Sequence, residues 1–214
     1  MIGKEYLLAA LDAICQKLIQ HEDELNHLDN VIGDGDHGTN MARFARTLLQ
    51  EMPELAAKDD LGAIFHYVGM SCINIIGGSA GPLFGTFFLR AGLVNRGKTS
   101  LAVTDLLTAI EEGTMGVSQT GLSNEGEKTM LDALFPAGRA MEDALETGEN
   151  LAGVLQAGAA AAQTGVEFTK TIPATKGRAA YLGSRSIGHQ DPGATSVLLM
   201  LQAMQHTAET MKLE

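Results

Sequence analysis

Apolar residues recur every three or four positions through most of this chain, and the stride breaks only at a few polar, glycine-rich stretches. Leu7, Leu11, Ile14, Leu18 and Leu25 share one helical face, and Met41, Phe44, Ala45, Leu48 and Met52 share the next. Leu61, Ile64, Phe65, Val68 and Cys72 predict a third helix, Pro82 is placed to open a fourth through Phe88, and Val103, Leu106, Leu107 and Ile110 mark a fifth. Leu131, Leu134, Met141 and Leu145 follow, then Leu151, Val154, Leu155, Ala159, Ala162 and Val166, and last Val197, Met200, Leu201 and Met204. About eight helices result, amphipathic rather than apolar all round, and such helices are expected to pack antiparallel around one core in an all-α fold.

Composition supports this reading. Ala (28) and Leu (27) far outnumber Val (8) and Ile (11), which favours helix over strand. A length of 214 residues suits a single domain, 1–214. A net charge of −11 opposes general attraction to nucleic acid or to anionic membranes. Cys15 and Cys72 sit in apolar helical runs, and there is no signal-peptide pattern or long apolar span, so a cytoplasmic location is expected.

Three breaks in the helical pattern stand out: 28–40, 77–82 and 173–193. The last is about twenty residues without a period, a length that in a compact domain signals a functional loop or lid. Tyr181, Leu182 and Ile187 offer it something to pack with.

The first break, LDNVIGDGDHGTN, places Asp29, Asp34 and Asp36 just ahead of a helix expected to begin near Thr39. Carboxylates so close repel unless a cation neutralises them, and a hard, oxygen-preferring ion such as Mg²⁺ suits them; a solvated acidic turn is the plainer reading. Asp34, Asp36 and Asn40 echo the start of an EF-hand, but only weakly, because Ala45 stands where the bidentate Glu belongs. The second break, GGSAGP, opens a helix whose free N–H groups suit a phosphate, or else allows a close helix crossing. In the third, Lys176 and Arg178 supply fixed positive charge, and Arg grips phosphate oxygens with two parallel hydrogen bonds. GLVNRGKT at 92–99 matches the P-loop pattern, yet a P-loop needs a strand before it and a parallel sheet around it. The chain offers neither, so Thr99 or Ser100 is expected simply to cap the next helix.

Taken together, DNVIGDGDHGTNM, GGSAGPLFGTFF, GEKTMLDAL and KGRAAYLGSRSIGHQDPGATS resemble the nucleotide-binding L subunit of bacterial dihydroxyacetone kinase, across essentially the whole chain. The resemblance implies a closed barrel of eight antiparallel helices with tightly bound ADP at one end, under a lid, its diphosphate held through two Mg²⁺ ions. It implies that Asp29, Asp34 and Asp36 hold the metal. His37, Gly38, Thr39 and Asn40 would approach the nucleotide, Ser79 and Ala80 the phosphates, and Gly121, Thr129 and Met130 the adenine. Arg178, Asp191, Pro192 and Gly193 would belong to the lid, with Arg178 also catalytic.

The implied partners are a K subunit that carries dihydroxyacetone and an M subunit whose phosphohistidine rephosphorylates the bound ADP; a homodimer stays open. A first helix close to Met1 favours the stand-alone subunit over an ATP-linked kinase for a related small ketose. A non-catalytic nucleotide-binding regulatory module fits the same motifs. One departure is GGSAG where that family commonly has GGASG, which moves the hydroxyl from position 80 to Ser79.

Overall fold

The computed structural model describes residues 1–212. A two-residue strand β1 (Ile2–Gly3) leads into α1 (Lys4–Gln20), α2 (Glu22–Ile32), α3 (His37–Ala56), α4 (Leu61–Ile75) and α5 (Ala80–Val94). Strand β2 (Ser100–Leu101), α6 (Val103–Gly121), α7 (Leu131–Glu146) and α8 (Leu151–Thr169) follow. A 3₁₀ segment (Arg178–Ser186) and α9 (Pro192–Thr210) complete the chain. No helix among the described residues is long and apolar enough to cross a membrane.

Eight helices close a ring. Helix α1 packs on α3, α3 on α4, and so on in chain order to α9, which returns to α1. Each stave turns back beside its predecessor, mostly through short connections, with α2 inserted between α1 and α3 and a long segment between α8 and α9, so the expected all-α barrel is the fold. Leu18, Met41, Leu48, Ile64, Met141 and Leu155 are among the side chains that fill it, leaving an apolar void of about 90 Å³ beside Tyr6, Phe84 and Leu201. Both cysteines are buried thiols, and burial pushes Cys15 up to about 12.

Helix α2 is the addition to the expected count. The first apolar stripe is two helices, broken at His21, whose N–H and ring Nδ1 both meet Lys17 O (3.1 and 2.8 Å). Leu18 and Leu25 lie seven residues apart and both remain fully buried across the bend, so spacing alone could not reveal it.

The P-loop look-alike at 92–99 ends α5 and turns toward β2, with no parallel sheet among the described residues. Asp60 Oδ1 accepts the N–H groups of Gly62 and Gly97 (both 2.9 Å). Lys98 Nζ donates to Asn95 Oδ1 (3.0 Å) and Asp105 Oδ1 (2.9 Å). The cap of α6 is neither Thr99 nor Ser100. Ser100 is drawn into pairing with Gly3, and Ala102 takes the cap position while its N–H donates to Asp105 Oδ2 (2.8 Å).

Candidate functional site

At one end of the barrel the α2–α3, α4–α5 and α6–α7 connections meet the long α8–α9 segment around a cavity of about 490 Å³. Asp29, at the end of α2, and Asp34 and Asp36, in the turn after it, each present an oxygen within 4.8 Å of the others. Asp29 Oδ2 accepts the N–H groups of Asp36 (2.9 Å) and His37 (3.1 Å), two donors that the start of α3 would otherwise leave unpaired. Its other oxygen lies where a Cβ on residue 33 would stand, so Gly33 is required for the carboxylate to take this place. Three converging carboxylates fit a hard divalent cation, and the Arg178 guanidinium is already drawn to Asp34.

Helix α3 starts at His37, two residues earlier than expected, and that start decides which of its residues face the cavity. His37 and Asn40, three apart, share the lining face. Gly38 and Thr39 do not line it. Gly38 backs onto Glu22 O, and Thr39 exchanges hydrogen bonds with the Asn26 amide (2.9 and 3.0 Å), so both fasten α3 to α2. His37 Nε2 lies 2.8 Å from Ser196 Oγ, and burial lowers the histidine's pKa despite the opposing pull of Asp29 and Asp36. Asn40 Oδ1 accepts from Arg43 Nη2 (2.7 Å), which also donates to Ile75 O (2.8 Å) and so ties α3 to the end of α4.

Helix α5 begins at Ala80 rather than at Pro82. Ser79 holds the N-cap position without a side-chain capping bond, so its hydroxyl and the first-turn N–H groups are available to a ligand. Across the cavity, Gly121, Thr129 and Met130 join Leu83, Val117 and Leu131 in a largely apolar wall. Asp132 shapes the turn behind it by accepting the N–H groups of Gly126 (2.6 Å) and Thr129 (2.7 Å).

The α8–α9 segment is more ordered than its lack of periodicity suggested; Leu182 is half-buried, but Tyr181 and Ile187 do not hold it down. Tyr181 is 89% exposed and Ile187 46%. Polar anchors take their place. Ser186 Oγ accepts the Ala174 N–H (2.8 Å) and donates to Gly183 O (2.7 Å), while Lys176 reaches Leu122 O and Glu127. Gly183, at φ +55°, breaks the 3₁₀ run. Asp191, Pro192 and Gly193 line the cavity but belong to the start of α9 rather than to the irregular segment before it, where the expected lid would lie. Asp191 caps α9 through the Ala194 N–H (2.7 Å), and burial raises its pKa to about 7.

The DAK2 domain profile matches residues 31–206. This chain belongs to the DAK2 domain family. It is 40% identical over 196 residues to the Escherichia coli protein named PEP-dependent dihydroxyacetone kinase, ADP-binding subunit DhaL, covering 91% of this chain and 93% of that one. A Listeria innocua protein, the ADP-binding subunit DhaL of PEP-dependent dihydroxyacetone kinase 1, is 38% identical over 204 residues, or 95% and 96% of the two chains. Among solved structures, the native dihydroxyacetone kinase of C. freundii superposes with a TM-score of 0.74 at 28% identity. Its complex with AMP-PNP and Mg²⁺ gives 0.70 at 29%. Each superposition covers 94% of this DAK2 chain, which spans about a third of that enzyme's length.

Arg43, Lys128, Asp132 and Ser196 support the DAK2 cavity without having been singled out in the sequence. Asp132 carries a readable signal, because Thr129-x-x-Asp132 spells a helix-start box. Lys128 carries none.

Proposed function

We propose that this chain is the ADP-binding subunit of a dihydroxyacetone kinase, a single 1–214 domain of the cytoplasm. In this reading ADP is retained and phosphorylated by a phosphohistidine carrier subunit, and the phosphoryl group then passes to dihydroxyacetone on a K subunit. The observation that carries it is the convergence of three carboxylates, a helix N-terminus and a lid arginine on one cavity walled on its far side by apolar residues. When bound, ADP supplies the phosphoryl acceptor and donor, and Mg²⁺ offsets the charge of its phosphates.

The chain's own residues bind, orient and enclose. Asp29, Asp34 and Asp36 hold the metal, with Asp29 fixed in place by the two N–H groups it accepts. Ser79 and the uncapped start of α5 receive the diphosphate, and Asn40 faces it from α3 with its carbonyl already engaged by Arg43. Gly121, Thr129 and Met130 flank the base. Arg178 is the catalytic residue: it trades Asp34 for the transferred phosphoryl group, where its planar fork neutralises charge. No nucleophile is required from this chain.

Two measurements test the reading. Purified protein, heat-denatured, should release about one ADP per chain, and mixing with K and M subunits should restore phosphorylation of dihydroxyacetone from phosphoenolpyruvate. Release of ADP with no restored transfer would leave a nucleotide-binding regulatory module. Rapid exchange of bound ADP for labelled ATP would point to the ATP-linked kinase.

A further inference from the structure

Lys128 is fully buried and lies in the turn that carries the base-side wall, yet nothing in the proposed chemistry uses its charge. Its ammonium donates to Thr169 O at the end of α8 and to His189 O just ahead of α9, and it lies 3.5 Å from Ile172 O. These three carbonyls sit at the two stems of the lid segment, 170–191. Asp132 and Asp191 are the carboxylates whose charge it feels, and neither forms a direct ion pair with it within 4 Å among the described residues. The backbone of Lys128 is left-handed, at φ +60°, a conformation a lysine holds only when its surroundings impose it.

A buried ammonium must find acceptors for its three protons, and here the acceptors are backbone carbonyls from opposite ends of one loop. We propose that Lys128 is a positioning residue, a clasp that gathers both stems of the lid against the turn bearing Thr129 and Met130. The base-side wall and the lid that carries Arg178 are thereby one mechanical unit. Opening the lid at its stems costs the desolvated ammonium its partners, so the stems, Ser186 included, stay shut while the tip ahead of Gly183, 178–182, moves. The clasp deepens the lid reading above, but it predicts behaviour of the nucleotide-free protein that does not depend on catalysis.

Hydrogen exchange tests it. The Gly188 N–H is bonded to Lys170 O (2.7 Å) and the Ala174 N–H to Ser186 Oγ (2.8 Å), so both report on the stems. In nucleotide-free Lys128→Met protein, which keeps the side chain's length and removes its charge and donors, both amides should exchange at least tenfold faster. Amides of α4 and α5 should keep their rates. Unchanged stem amides, or equal acceleration throughout the barrel, would overturn the clasp in favour of no role or a general stabilising one.

Should that variant fail to fold, amine acylation of unsubstituted protein, read by mass spectrometry, decides the matter. Acylation of Lys128, relative to an exposed lysine, should be slowed by the same factor as exchange of Gly188 relative to a free amide, with the weak denaturant dependence of a local opening. Acylation only on global unfolding, while Gly188 exchanges sooner, would show the stems parting without Lys128 and refute the proposal. Failure of the unsubstituted protein to bind ADP, with the stem amides behaving as expected, would refute the nucleotide reading and leave the clasp standing.

Discussion

The two ends of α5 make an instructive pair. Both are glycine-rich, both place acidic and basic residues beside a helix terminus, and they lie about 22 Å apart along a fifteen-residue helix. At the C-terminal end, in the turn that imitates a P-loop, the polar groups satisfy one another: Asp60 takes two N–H groups, and Lys98 takes Asn95 and Asp105. At the N-terminal end Ser79 caps nothing, and three carboxylates on the same cavity converge on one another, Asp29 holding two N–H groups and Asp34 drawing Arg178. Completed hydrogen bonding marks a structural turn, and like charges gathered with too few cations to balance them mark a place for a ligand.

The largest effect should come from removing one charge at the cavity end. Asp36→Asn keeps the size of the side chain and should weaken ADP binding in the presence of Mg²⁺ by at least a hundredfold, about 2.7 kcal/mol, measured by calorimetry on nucleotide-free protein. The variant should still fold, because Asp36 contributes no side-chain cap to α3. Affinity equal to that of the unsubstituted protein would erase the contrast between the two ends.

Asp191 sharpens the contrast through pH. Burial raises its folded pKa to about 7, well above an unfolded carboxyl, so the folded state holds a proton that the unfolded state has released. Its contribution to stability is therefore complete below about pH 4 and is lost as pH rises through 7. Between pH 5.5 and 7 the loss amounts to about 2 kcal/mol in nucleotide-free protein. Asp191→Asn, which can still accept the Ala194 N–H, should flatten that slope in urea titrations. An unchanged slope would place the titration elsewhere.

How much of this was legible in the sequence depends on what kind of signal each feature leaves. The eight staves of the barrel were readable because burial repeats an apolar residue every turn, and the acidic cluster because like charges beside glycines need a reason. The break at His21 was invisible, since Leu18 and Leu25 hold the same spacing across it. The resemblance implied that Gly38 and Thr39 approach the nucleotide; helical geometry turns both onto α2, away from the cavity lining. Lys128 could not be foreseen, because its acceptors are backbone carbonyls some forty to sixty residues away, and carbonyls carry no sequence signature.

Arg178 tests the cavity end from the α8–α9 segment. Arg178→Lys keeps the charge but loses the planar fork, and should speed ADP release about tenfold, roughly 1.4 kcal/mol, in a displacement assay with fluorescent nucleotide. Phosphoryl transfer in the reconstituted complex should slow as well. If release quickens and transfer does not slow, Arg178 retains the nucleotide without touching the transferred group.

The smallest expected effect is at the other end, and it is the control on which the comparison depends. Lys98→Ala deletes the residue that a P-loop could least spare, so a true P-loop would lose nucleotide by far more than tenfold. Here Lys98 and Asp105 are each about one-third exposed, and a pair so placed contributes less than about 1 kcal/mol once solvent screening is counted. The Lys98 hydrogen bond, followed by the Ala102 N–H, holds the Asp105 carboxyl below its ordinary pKa. The pair's contribution is therefore present above the unfolded carboxyl's pKa and disappears as pH falls through the folded one. Lys98→Ala should cost a small fraction of stability at pH 7 and progressively less as pH falls through the folded pKa of Asp105, with ADP affinity within twofold of the unsubstituted protein. Because Ala102 still donates to Asp105, α6 keeps its start, and any loss of nucleotide could not be blamed on a misplaced helix. A tenfold fall in ADP affinity with folding intact would mean that the turn at 92–99 binds phosphate after all.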